Sequence, residues 1–110
     1  MAFKIGIVGI GKIARDQHLP VVEKSPDFAL AAVVSSRSVD RGVPSFRTTG
    51  ELLRSAVKLD AVSLCMPPGP RFDIARDCLD AGLPVLLEKP PTPTMGELVA
   101  LIDHAAARKV

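Results

Sequence analysis

The chemistry in this chain begins at residue 9. Gly9-Ile10-Gly11-Lys12-Ile13-Ala14 has the form G-x-G-x-x-A and stands between an apolar run and a helical pattern. Each small residue has a physical reason. Gly9 permits a tight turn, Gly11 lets the backbone close on a pyrophosphate, and Ala14 lets helix and strand pack tightly. Phosphates set there meet the free N–H groups and positive end of the helix, whose first turn carries Lys12 and Ile13. Alone, such a match is weak. Between the first strand and first helix of a βαβ unit it becomes a dinucleotide fingerprint. The alternative is an ordinary glycine-rich turn.

Three further segments fall where such a site needs them. The second apolar run ends at Val34, about 20 residues beyond Ala14, where a carboxylate commonly binds the adenosine ribose. Here the residues are Ser35-Ser36-Arg37. A hydroxyl from Ser36 and a guanidinium from Arg37 suit a 2′-phosphate, and no carboxylate repels it. NADP is therefore favoured over NAD; with Arg37 as a solvated loop cation, either serves. Cys65-Met66-Pro67-Pro68 closes a third run, where a proline-stiffened loop can wall the nicotinamide half of a cofactor or simply make a turn. Glu88-Lys89-Pro90-Pro91 closes the last. A lysine leaving a strand at a ligand crevice orients a hydroxyl or tunes a proton transfer. A surface ion pair between neighbours is the other reading, and Pro90 is a candidate for a cis bond.

The remaining reactive residues are quieter. His18 reads as a satisfied or solvated helix histidine, and His104 as a surface one. Neither has sequence neighbours at metal-ligand or triad spacing, so metal and nucleophilic-hydrolase chemistry find no support. Cys65 and Cys78 lie in apolar or helical surroundings without a C-x-x-C pattern, and read as reduced, buried thiols of a cytoplasmic protein.

The elements that must position these groups alternate. Strands are expected over Phe3–Val8, read as fully buried, Phe28–Val34, read as buried, Leu59–Cys65 and Pro84–Leu87, with a short one around Ser45–Arg47. Helices are expected from Lys12 to about Lys24, with a kink at Pro20, and from Phe72 to Ala81, ended by Gly82. Two more start at Thr49, as cap of a short helix bearing Leu52 and Leu53, and at Thr94, with Glu97 three residues on. This alternation implies an α/β, Rossmann-type, doubly wound parallel sheet in the order 3-2-1-4-5, filling residues 1–110 as one domain. The chain has 110 residues, 47% hydrophobic and 24% charged, and a net charge of +2. That balance gives no footing for nucleic acid, and no apolar run approaches the ~20 residues of a membrane span. The N-terminus leads straight into a strand, with no signal peptide expected.

Taken together, the glycine turn, Met66-Pro67-Pro68, Ala81-Gly82 and Glu88-Lys89-Pro90 resemble the N-terminal domain of the Gfo/Idh/MocA oxidoreductase family across essentially the whole chain. Asp16-Gln17-His18-Leu19-Pro20, Gly50-Glu51-Leu52-Leu53 and Pro91 narrow the resemblance to its aldose 1-dehydrogenases. The resemblance implies oxidation of the C1 hydroxyl of an aldose, of D-galactose or L-arabinose type, to a lactone. It makes Lys89 the active-site lysine, near nicotinamide and sugar. Gly9, Gly11, Lys12, Ile13, Ser36, Arg37, Cys65, Met66, Pro67, Pro68, Arg71 and Glu88 join Lys89 as cofactor-binding residues. Many members carry Asn and His where this chain has Pro68 and Arg71.

The resemblance also implies a second, sheet-based domain that contacts the sugar substrate and is absent from these 110 residues. The chain alone is then expected to be inactive, with an exposed interdomain face through which it can self-associate. A non-catalytic sugar- or nucleotide-sensing protein, and a dehydrogenase of another polyol, are the competing functions, because the fold alone does not separate them.

Overall fold

The computed structural model describes residues 2–37 and 39–110. Five strands, β1 (Phe3–Val8), β2 (Phe28–Val34), β3 (Ser45–Phe46), β4 (Ala61–Leu64) and β5 (Val85–Leu87), form one sheet in the order β3-β2-β1-β4-β5. All four pairings are parallel. Both the order and the alternation agree with the sequence. Because every strand runs the same way, all five carboxyl ends reach one edge. There β1 has β2 on one side and β4 on the other, which is the topological switch point.

Helices cover both faces. A π-helical turn, Ala14–His18, leads into α1 (Leu19–Lys24), with Leu19 N–H donating to the Ala14 carbonyl. The wide turn is how the helix accommodates Pro20, which cannot donate and would crowd the carbonyl four residues back. On this face Ile7, Ala14, Leu19, Val33 and Cys65 form a small core. On the other, α2 (Thr49–Arg54), α3 (Arg71–Asp80) and α4 (Met95–Arg108) enclose the larger one. Its members include Val8, Val34, Leu52, Leu64, Cys78, Leu79 and Leu101. Neighbouring strand residues such as Ile7 and Val8 fall in different cores, as a period of two requires.

Local chemistry sets the helix ends. Thr94 accepts from Glu97 N–H at 3.2 Å, and Gly82 closes α3 at φ 79°. At α2 the cap is Thr48, not Thr49: Thr48 Oγ1 accepts from Glu51 N–H at 3.2 Å. The Thr-x-x-Glu spacing of Thr48 and Glu51 is the capping-box signal that marks the correct residue.

The expectation of fully buried strands needs correction. Only the carboxyl halves of β1 and β2 are buried, and Phe3, Phe28 and Leu86 remain 61%, 42% and 61% exposed. A six-residue α1 is too short to cover that face. Phe28, Val21, Val22 and Leu86 consequently line an apolar groove of about 340 Å3. Among the described residues no helix is long and apolar enough to cross a membrane, and no three His, Cys, Asp or Glu side chains gather into a metal cage.

Candidate cofactor site

A cleft of about 600 Å3 lies along the carboxyl edge of the sheet. Backbone bonds carry the sheet past its strands and shape the walls. Gly9 N–H donates to the Val34 carbonyl at 2.8 Å, Cys65 N–H to Val8 at 2.8 Å, and Ser35 N–H to Phe46 at 2.9 Å. The floor is the glycine turn. Gly9 has φ +87°, and a Cβ there would come within 2.6 Å of the Met66 amide nitrogen, so no larger residue fits. At Gly11 a Cβ would meet nothing within 4 Å, because its open side is space in the cleft. A backbone bare of side chains, at the start of a helix whose first N–H groups have no helical acceptor, fits a pyrophosphate.

Of the residues expected to bind the cofactor, Gly9, Gly11, Ser36, Cys65, Met66 and Pro67 line this cleft. Lys12 and Ile13 stand just outside it on the exposed start of the helix. Lys12 bonds Asp16 at 2.6 Å, and that bond raises the lysine pKa. Arg37 is exposed beside Ser36 and outside the cleft lining, its N–H donating to Ser35 Oγ at 3.3 Å. Lys89 is exposed beyond the end of β5, preceding a cis bond to Pro90.

Two expected contacts are engaged elsewhere. Arg71 is only 2% exposed. Its guanidinium donates to the carbonyl oxygens of Met66, Glu88 and Pro90, and Pro68 accepts from the Arg71 N–H at 3.1 Å. Burial lowers its pKa. Arg71 thus bears on the cleft by joining the loop after β4 to the turn after β5. Glu88 turns its carboxylate away, Oε2 lying 2.7 Å from His18 Nε2. That hydrogen bond is the main cause of its lowered pKa.

The cleft also holds residues that their sequence context does not single out. Arg47, Thr48, Thr49 and Gly50 line it beside Ser35 and Ser36. A usable signal existed: β3 is parallel to β2, so the residues after Phe46 must emerge at the same edge as Ser35. His18 also gains partners that its sequence neighbourhood does not disclose, Glu88 at Nε2 and Ser63 Oγ 3.3 Å from Nδ1. His104 is half-buried in a pair with Asp80 at 2.7 Å. The two thiols are free and buried, as expected, and burial raises both, Cys78 to about 11.

A doubly wound parallel sheet whose first strand runs into a G-x-G-x-x-A turn at the switch point is a Rossmann-type dinucleotide-binding domain. Residues 3–110 match the model of GFO_IDH_MocA, the oxidoreductase family with an NAD-binding Rossmann fold, and the chain belongs to that family. It is 40% identical over 104 residues to galactose 1-dehydrogenase of Pseudomonas fluorescens, covering 94% of this chain and 34% of that protein. It is 33% identical to D-xylose 1-dehydrogenase (NADP(+)) 2 of Haloferax volcanii, over 90% of this chain and 32% of the relative. The crystal structure of D-galactose-1-dehydrogenase from Rhizobium etli superposes with a TM-score of 0.92 at 43% identity, covering 97% of this chain and 35% of that one. The chain therefore spans about a third of the length of these relatives.

Proposed function

We propose that this chain is the NADP-preferring cofactor domain of a sugar dehydrogenase that oxidises the C1 hydroxyl of an aldose, of D-galactose or L-arabinose type, to a lactone. One observation carries the reading. The glycine turn, Ser36 and the Cys65–Pro67 wall share a single cleft, and Arg71 ties that wall to the turn bearing Lys89. Names borne by similar proteins, a galactose and a xylose 1-dehydrogenase, support the substrate class.

Bound in the cleft, the nicotinamide supplies the hydride acceptor. The chain's own groups do the rest. Gly9 and Gly11 admit the pyrophosphate, and the neutral Cys65 thiol with Met66 and Pro67 gives the ring a wall without charge. Ser36 and Arg37 hold the 2′-phosphate, joined by Arg47 from the end of β3. Lys89, exposed just beyond the end of β5, would orient the sugar hydroxyl by hydrogen bonding. Most sugar contacts come from a second domain beyond these residues, so the 110-residue chain by itself binds cofactor weakly and oxidises no sugar. Reduced, buried thiols suit a cytoplasmic enzyme. Self-association of the isolated chain through an exposed interdomain face belongs to this reading, and sedimentation at increasing concentration measures it.

Calorimetric titration with NADP and with NAD, on the wild type and on Arg37→Ala, tests the cofactor reading. Tighter NADP binding that loses its advantage in the variant is the expected result. Equal affinities in the wild type would remove the 2′-phosphate reading.

A further inference from the structure

His18 and Glu88 are 70 residues apart in sequence and 2.7 Å apart in space. The carboxylate between them is shared. Oε2 meets the His18 ring, while Oε1 accepts the backbone N–H of Lys89 at 3.1 Å. A single carboxylate thus connects a ring on the helix that follows the glycine turn to the main chain of Lys89. At its other nitrogen the ring is braced by Ser63 of β4, which is 5% exposed. A hydroxyl donates or accepts, so Ser63 satisfies Nδ1 whether the ring is neutral or charged. Other polar groups here include Gln17, which lines the same groove as His18 and Ser63, the Cys65 thiol, 3.7 Å from Ser63 Oγ, and Arg71, which holds the Glu88 and Pro90 carbonyls.

A serine, a histidine and a glutamate in a row invite a hydrolase reading, which the geometry rejects. In a working triad the nucleophile bonds Nε2 and the acid bonds Nδ1, whereas here the two are exchanged. Ser63 also lies within β4 and is only 5% exposed.

The geometry instead points to His18 as a positioning residue, which through Glu88 holds the Lys89 backbone in fixed relation to the phosphate-binding helix. Its importance for turnover rests on the role of Lys89 proposed above; the mechanical link does not. A hydrogen bond between charged or polarised partners in a half-buried site is stronger than a surface contact. Arg71 holds the buried side of the turn through the carbonyls of Glu88 and Pro90, and the His18–Glu88 bond restrains its other side, where Lys89 and Pro90 are exposed.

Amide hydrogen exchange of Lys89, followed by NMR on the isotope-labelled chain, reads the link directly. In His18→Ala the Lys89 amide is expected to exchange about tenfold faster than any loss of global stability explains, consistent with one lost charge-assisted bond. His18→Gln, which keeps a donor near the position of Nε2, restores protection. Val57→Ala, a core truncation away from the turn, leaves Lys89 unaffected beyond its global effect. Unchanged Lys89 exchange in His18→Ala, or an equal selective rise in Val57→Ala, overturns the assignment. In the complete enzyme, Lys89→Ala separates the two claims. If it retains turnover, the catalytic reading of Lys89 fails while a positive exchange result still establishes the link. If it loses turnover, His18→Ala should lower kcat with little change in the KM for sugar.

Discussion

Gly9 and Met66 are so close that a Cβ on residue 9 would lie 2.6 Å from the Met66 amide nitrogen and 2.9 Å from its Cα. The contact joins the glycine turn, the floor of the cleft, to the loop after β4, which walls it. Backbone cannot rotate away as a side chain tip does, and φ +87° adds a steric cost for any L side chain. Gly9→Ala is therefore expected to destabilise the fold by about 2 kcal/mol or more and to weaken cofactor binding. Gly11→Ala, facing open space, should leave stability nearly intact and weaken binding alone. Urea unfolding and calorimetry on the two variants measure the contrast; equal stability losses would contradict it.

Arg71 is the joint between the loops. Replacing it with Met leaves the carbonyls of Met66, Glu88 and Pro90 without their buried donor, at a cost of about 3 kcal/mol or more. Lys replaces the charge but not the planar fork, and should recover only part of the loss. Chemical denaturation of Arg71→Met and Arg71→Lys gives the ranking, wild type above Lys above Met. A neutral Met variant would show that the clamp contributes nothing net.

Burial protects both thiols. Cys78 is fully buried with its pKa raised to about 11, and Cys65 is raised mainly by burial. The thiolate is the reactive form, so a thiol-specific reagent at neutral pH should label the native chain slowly and the unfolded chain rapidly at both positions. Cofactor should slow Cys65 further while leaving Cys78 unchanged. Rapid native labelling of Cys78 would be incompatible with the packing of α3.

Two carboxylates have depressed pKa values, Glu88 chiefly through its bond to His18 and Asp80 chiefly through its bond to His104. A group whose folded pKa is lowered stabilises the fold while ionised, and that contribution is lost as the pH falls. Stability should thus begin to decline as the pH enters the ordinary carboxylate range. The decline ends only after the pH has passed below the lowered native values. Glu88→Gln and Asp80→Asn should each flatten part of this slope. Urea midpoints across the acid range test it, and an unchanged slope in both variants would refute the assignment.

Much of this was legible in residues alone, because it depends on local chemistry. Hydrophobic runs of strand length alternate with helical patterns. Gly82 and the Thr94–Glu97 box end and start helices by interactions within four residues. The parallel sheet, its order and the glycine turn follow from that alternation and from the handedness of crossovers. The cap at Thr48 is legible too, through Glu51 three residues on, although its neighbour Thr49 is the residue the helical pattern first suggests.

Tertiary structure decided what depends on which strand lies beside which. It placed Arg47 on the cleft, gave Arg71 three carbonyls from two separate loops, and set His18 between Ser63 and Glu88. No spacing in the chain encodes the meetings of Arg71 and His18, since the partners of His18 lie 45 and 70 residues away. It also left the amino ends of β1 and β2 uncovered. An apolar strand has the same composition whether or not a helix reaches it, and only the packed fold shows which strand ends α1 leaves uncovered.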